Sequence, residues 1–191
     1  MNEFLGLYPA WLEPGIGAGW VIGFIATIHV LFSHASVGAA LVFAWLARRG
    51  VTANQPQHLD FIRKYGAFLL IFSYVLGSVT GPGIWFAATI ANPRGISALI
   101  HNFVWLWATE WVFFLIEVAG VYLLVYLAGR VPIKTYLRYC TIFALSSVGT
   151  LLIIVGILSF MLWPGQDSWY QTGGVLSVSY THLTLPTILL V

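Results

Sequence analysis

Charge is what this sequence has least of. Charged residues make up 7% of the chain, against roughly 25% in an ordinary soluble domain. That scarcity excludes a soluble enzyme, a disordered tail and a nucleic-acid binder with a basic face. Cysteine is nearly missing too. The lone Cys140 excludes a disulfide scaffold and any CxxC metal or redox motif. What fills the 191 residues is apolar, 60% of them by count, with a mean hydropathy of +0.90. This composition belongs to a small polytopic membrane protein. The net charge of +2 carries no information until the charges are placed.

A helix needs about 20 mostly apolar residues to cross the hydrocarbon core. Four stretches qualify, at about 19–47, 65–91, 103–128 and 137–163. None alternates as a transmembrane barrel strand would. The expected fold class is therefore all-α, a polytopic bundle of four transmembrane helices spanning 19–165. No internal repeat is evident.

The basic residues orient the bundle. Arg48, Arg49, Arg63 and Lys64 fall between spans one and two; Arg130, Lys134 and Arg138 fall in or beside the connection between spans three and four. Arg94 is alone on the opposite side. Lys and Arg gather on the cytoplasmic side, so both termini are expected to face outward. Trp11, Trp20, Trp105, Trp107, Trp163 and Trp169 then fall near the outer face, where an aromatic belt belongs.

The two ends read differently from the bundle. Residues 1–18 carry Glu3 and Glu13 but no basic residue, so a cleavable signal peptide is not expected. Phe4, Leu5, Leu7, Trp11 and Leu12 suggest a short interfacial segment. Residues 166–191 form an outer tail. Its last part, 176–191, has neither helical period nor charge and resembles a translated adapter more than natural sequence. No role is read into His182.

Ionisable groups inside hydrocarbon are costly and mark functional sites by default. Four stand out: His29 and His34 in span one, Glu110 and Glu117 in span three. The two carboxylates are seven residues apart, which returns them to nearly one helix face about 10 Å apart along the axis. Such a stripe suits a proton relay, or one haem or metal contact plus one proton acceptor. The bland alternative is a pair of acids hydrogen-bonded to neighbouring helices. A neutral imidazole at His29 can hold a haem iron. His34 is rotated from it by roughly 140°, so one of the two is expected to be a ligand or proton carrier and the other a packing residue. His58 and His101 read as loop and interfacial histidines. In span two, Thr80-Gly81-Pro82-Gly83 reads either as broken backbone at membrane depth, tolerated only under cover, or as a kink at the helix end. Gly81 and Gly83 would let a flat cofactor approach the backbone.

Taken in order, these residues resemble the amino-terminal part of subunit I of the cytochrome bd-type quinol oxidases. His29-Val-Leu-Phe-Ser-His-Ala-Ser-Val-Gly38 is similar to the family's His-x-Leu-Phe stretch, with the axial histidine of a high-spin haem at His29. Gly77-x-x-Thr80-Gly81-x-x-x-x-Phe86 resembles its glycine-rich second helix, though Trp85 stands where the family carries a glutamate. Glu110 and Glu117 look like the two glutamates of the haem pocket and proton route, at a spacing of seven where eight is usual. Ser147 to Met161-x-x-Pro164 matches the fourth helix. The resemblance covers about 19–165, and its departures suggest a divergent branch.

The resemblance implies a haem-containing membrane oxidoreductase moving electrons from quinol to oxygen. Haem b is the implied cofactor, with haem d as the alternative at the terminal site. It further implies a subunit II-type partner, the quinone pool, the remaining helices of a longer subunit, and the bacterial or archaeal inner membrane. A piece of this length is not expected to turn over alone. The rival class is a non-redox carrier or accessory subunit using the buried Glu pair as an ion path. A b-type electron-transfer anchor would need paired histidines on two helices, which these spans lack.

Overall fold

The computed structural model describes residues 17–53 and 57–162. All described elements are helical: α1 (Ala18–Ala53), α2 (Gln57–Leu69), a π-helical turn (Leu70–Val75), α3 (Leu76–Ala91), α4 (Pro93–Leu127) and α5 (Ile133–Leu162). Four stretches are long and apolar enough to cross a membrane: Gly19–Val51, Gln57–Ala91, Leu99–Leu127 and Ile133–Met161. The interfacial segment, the outer tail, Trp11, Trp163, Trp169, Pro164 and His182 lie outside the described residues.

The helices overrun the apolar stretches at one end. Arg48 and Arg49 ride on the last turns of α1, and Arg63 and Lys64 on α2. Hydropathy sees only the greasy part of a helix, whereas backbone hydrogen bonding carries the helix on into the charged region. Lys64 pairs with Asp60 one turn away at 2.8 Å, a spacing that supports an exposed helix.

Local chemistry ends and restarts the other helices. Asn92 caps α4 by accepting from the Gly95 amide at 3.0 Å, with Pro93 at the first helical position, where its missing N–H costs nothing. A Cβ at Gly95 would lie 2.5 Å from the Asn92 side chain, so a larger residue there would have to shift the cap. Between α4 and α5 the chain turns through Gly129 at φ +75°, in the left-handed region where glycine is unstrained. Tyr136 Oη donates to the Leu124 carbonyl at 2.9 Å, tying α5 back to the end of α4.

Span two is neither broken nor ended at its proline and glycines. The helix continues through Thr80-Gly81-Pro82-Gly83 to Ala91, with Pro82 inside it. Pro82 has no N–H to offer the Ser78 carbonyl, while the Ser78 and Thr80 hydroxyls bond the Tyr74 and Leu76 carbonyls earlier on the helix. The irregular backbone lies earlier, in the π turn Leu70–Val75.

Helices pack in lipid through close van der Waals contact over small residues. α4 and α5 show this twice. A Cβ at Gly120 would sit 3.2 Å from the Phe143 ring, and one at Gly149 would sit 3.0 Å from the Phe113 ring. α5 packs on both α4 and α1, and α1 packs on the second span. α4 returns to α2 near the basic end but touches α3 only sparingly. The buried core lies towards that basic end, around Phe43, Ile62, Val121, Leu124, Tyr136 and Phe143. Elsewhere large apolar side chains face outward, Trp105 82% and Phe86 69% exposed. That is the surface of a protein whose solvent is lipid.

Candidate functional site

Glu117 is 5% exposed, and two other elements supply its partners, with a third joined through one of them. Tyr74, on the π turn, donates its hydroxyl to Glu117 Oε2 at 3.1 Å. Thr150 of α5 donates to Glu117 Oε1 at 2.5 Å. Ser36 of α1 donates in turn to Tyr74 Oη at 2.9 Å. Ser147 of α5 is fully buried beside the Glu117 and Tyr74 oxygens, without a well-formed hydrogen bond of its own. All four spans therefore meet in one polar layer. The π turn is the local reason: its extra residue per turn rotates the chain so that Tyr74 aims into the bundle.

His29 belongs to a second layer. Its Nδ1 lies 3.0 Å from Thr80 Oγ1. Thr80 Oγ1 also bonds the Leu76 carbonyl at 2.9 Å, and the Gly77 backbone hydrogen-bonds the imidazole, so the second span fixes the orientation of the ring.

Register places Glu110 at the depth of His29. By the alternating direction of the spans, α1 and α4 run the same way. Ser36 is seven residues past His29, and Glu117 seven past Glu110. Each step is about 10 Å along its helix. Since Ser36 and Glu117 meet through Tyr74, His29 and Glu110 share the next layer out. Glu110 is half-buried, within electrostatic reach of Glu117, and has no hydrogen bond among the described residues. One turn before it, the Trp107 indole N–H is buried without a partner. The Trp107 ring meets Trp85 edge-on at 4.8 Å, bridging α3 and α4 where the two helices otherwise separate.

The remaining predicted residues divide. A Cβ at Gly81 would lie 3.3 Å from His29 Cε1, so this glycine lets the imidazole pack against α3. Gly83 faces Ile25 at ordinary contact distance. His34 is exposed and bonded to its own helix at the Val30 carbonyl, 2.9 Å away, so it faces lipid where packing within the bundle was the expectation. His101 is exposed and His58 half-buried near the start of α2. No group of three or more His, Cys, Asp or Glu side chains converges as a metal site among the described residues. A haem requires only one or two protein ligands.

Sequence reasoning found the acids and His29 but missed Ser36, Tyr74 and Thr150. A signal was present for the serine, seven residues past His29 on the same face. Tyr74 carried none, because its direction depends on the π turn. Set against known protein families, curated proteins and solved structures, the chain matches none of them.

Proposed function

We propose that this chain is the amino-terminal part of a haem-bearing membrane oxidoreductase of the cytochrome bd type, with its termini outside and its basic end in the cytoplasm. The observation that carries the reading is the outer layer: a histidine whose ring is held by Thr80, with a carboxyl at the same depth and a buried indole N–H that have no hydrogen-bond partners among the described residues. Natural structures leave few buried donors unpaired, and each calls for an explanation. A bound group that offers an iron and hydrogen-bond acceptors would engage these atoms.

When bound, a haem there would supply one-electron transfer and an iron able to take oxygen. The chain's own residues do the rest. His29 would hold the iron. Thr80 fixes the ring orientation through its bond with Nδ1. Glu110 takes or gives a proton beside the bound group. Glu117 stores a proton one layer deeper, where the Tyr74, Ser36 and Thr150 hydroxyls can reorient to pass it. The side chains around the layer exclude bulk water, so protons reach oxygen by the acid stripe. With electrons from quinol, the net reaction would oxidise two quinols to quinones and reduce one oxygen to two waters.

The test is optical. The full chain, purified in mild detergent and loaded with haemin, should give a high-spin haem spectrum. His29→Ala should abolish it and His34→Ala should leave it intact. A spectrum that survives His29→Ala removes the ligand assignment. A chain that takes no haem at all favours the carrier reading, for which the closed Ser36–Tyr74–Glu117–Thr150 chain would serve as the ion path.

A further inference from the structure

A cleft of about 230 Å³ opens along the seam between α2 and α4 at the basic end, lined by Arg63, Leu70, Tyr122, Val125, Tyr126, Ala128 and Arg130. We propose that this cleft binds the headgroup phosphate of an anionic membrane phospholipid, independently of the haem layer.

The lining has the amphipathic character such a ligand needs. Leu70, Val125 and Ala128 make an apolar wall. Gly66 keeps the two helices together there, since a Cβ at that position would lie 3.2 Å from Val125 Cγ2. Arg63 and Arg130 bring one full positive charge each, and both are exposed. Neither forms an ion pair among the described residues; the ion pair at this end joins Lys64 to Asp60. Arg130 is also preset in position. Its guanidinium carbon lies 4.4 Å from the Tyr126 ring centroid, and Tyr126 stacks on Tyr122 at 6.2 Å and an interplanar angle of 7°. Ordering a guanidinium before binding lowers the entropy cost of capturing a phosphate.

One effect opposes an anion here, the negative end of the α4 dipole, equivalent to roughly half a charge. Two full charges outweigh it. It is also blunted, because the Leu124 carbonyl accepts from Tyr136 Oη and the Leu127 carbonyl from the Arg130 N–H at 2.9 Å. Basic pockets between membrane helices are suited to anionic headgroups. A freely diffusing phosphate shares the charge but has no use for the apolar wall, so the cleft favours the lipid.

The experiment uses the full chain in mild detergent and reads the thermal unfolding midpoint during lipid titration. Phosphatidylglycerol should raise the midpoint in a saturable way, and phosphatidylcholine should not. Arg63→Gln with Arg130→Gln should weaken the apparent phosphatidylglycerol affinity at least tenfold. Lys64→Gln with Arg138→Gln removes the same charge away from the cleft and should leave the affinity unchanged. Equal loss in both double variants, an equal response to phosphatidylcholine, or an equal response to inorganic phosphate would each overturn the proposal. Native mass spectrometry of the unmodified chain supplies an arm that no folding defect can blur. It should show phosphatidylglycerol retained over phosphatidylcholine, and equal retention would sink the assignment.

Discussion

The half of the bundle near the basic end and the half beyond Glu117 are built on different terms. Near the basic end, Phe43, Ile62, Val121, Leu124, Tyr136, Cys140 and Phe143 are fully or almost fully buried, and the Tyr136 hydroxyl is satisfied. The polar layer at Glu117 closes that core with hydrogen bonds from three spans. In the other half the buried apolar residues are few among those described: Ala87, Leu99 and Ile157. There α3 and α4 touch sparingly, and Glu110 and Trp107 Nε1 have no hydrogen-bond partner among the described residues. The half near the basic end is held by its own apolar contacts, with Ser147 Oγ as its unpaired polar atom among the described residues; the other half is more loosely packed.

The sharpest way to break the contrast is to strike the tightly packed half. Phe143 is fully buried and cannot retreat from Gly120, so Gly120→Leu should destabilise the bundle by about 1–3 kcal/mol through overpacking. The thermal midpoint of the purified chain checks this, and an unchanged midpoint would mean the α4–α5 contact is loose. Next in size is the polar layer. Tyr74→Phe keeps the ring but strands Ser36 Oγ and Glu117 Oε2, for an expected loss of about 1–2 kcal/mol. Tyr74→Phe should also slow proton uptake in a longer, active relative. Measured stability equal to the parent would show that the layer contributes nothing.

The looser half should respond in the opposite sense. Trp107→Phe removes a buried donor that has no acceptor, so without haem it should be neutral or slightly stabilising, within about 0.5 kcal/mol. With haem bound, the same variant should weaken retention, which a haemin titration reads. A Trp107→Phe variant that is strongly destabilised without haem would mean that the indole is ordinary core. Smallest of all is His34→Ala. It touches only its own helix and faces outward, so neither stability nor haem content should move beyond about 0.5 kcal/mol.

Much of the architecture was legible because membrane folding leaves few options. Backbone polar groups in lipid must be satisfied within the segment, so four long apolar runs meant four helices. Glu117 was legible for a related reason: a carboxyl in hydrocarbon is rare enough to attract notice. Its partners were not. Ser36 and Thr150 look like any hydroxyl residue bonding back to its own helix, and several do just that, Thr27, Thr109 and Thr141 among them. Proline and glycine left Thr80-Gly81-Pro82-Gly83 open between a break and a kink, whereas the helix runs through it to Ala91.

By itself the sequence determined the spans, the basic end and the acids seven residues apart, since hydropathy, charge and helical period act locally. Only tertiary structure decided which groups meet. The π turn that swings Tyr74 onto Glu117, the glycine that admits His29 against α3 and the seam that gathers Arg63 with Arg130 all depend on the relative rotation of helices. That rotation is set by side-chain packing between segments distant in the chain, and no local pattern encodes it.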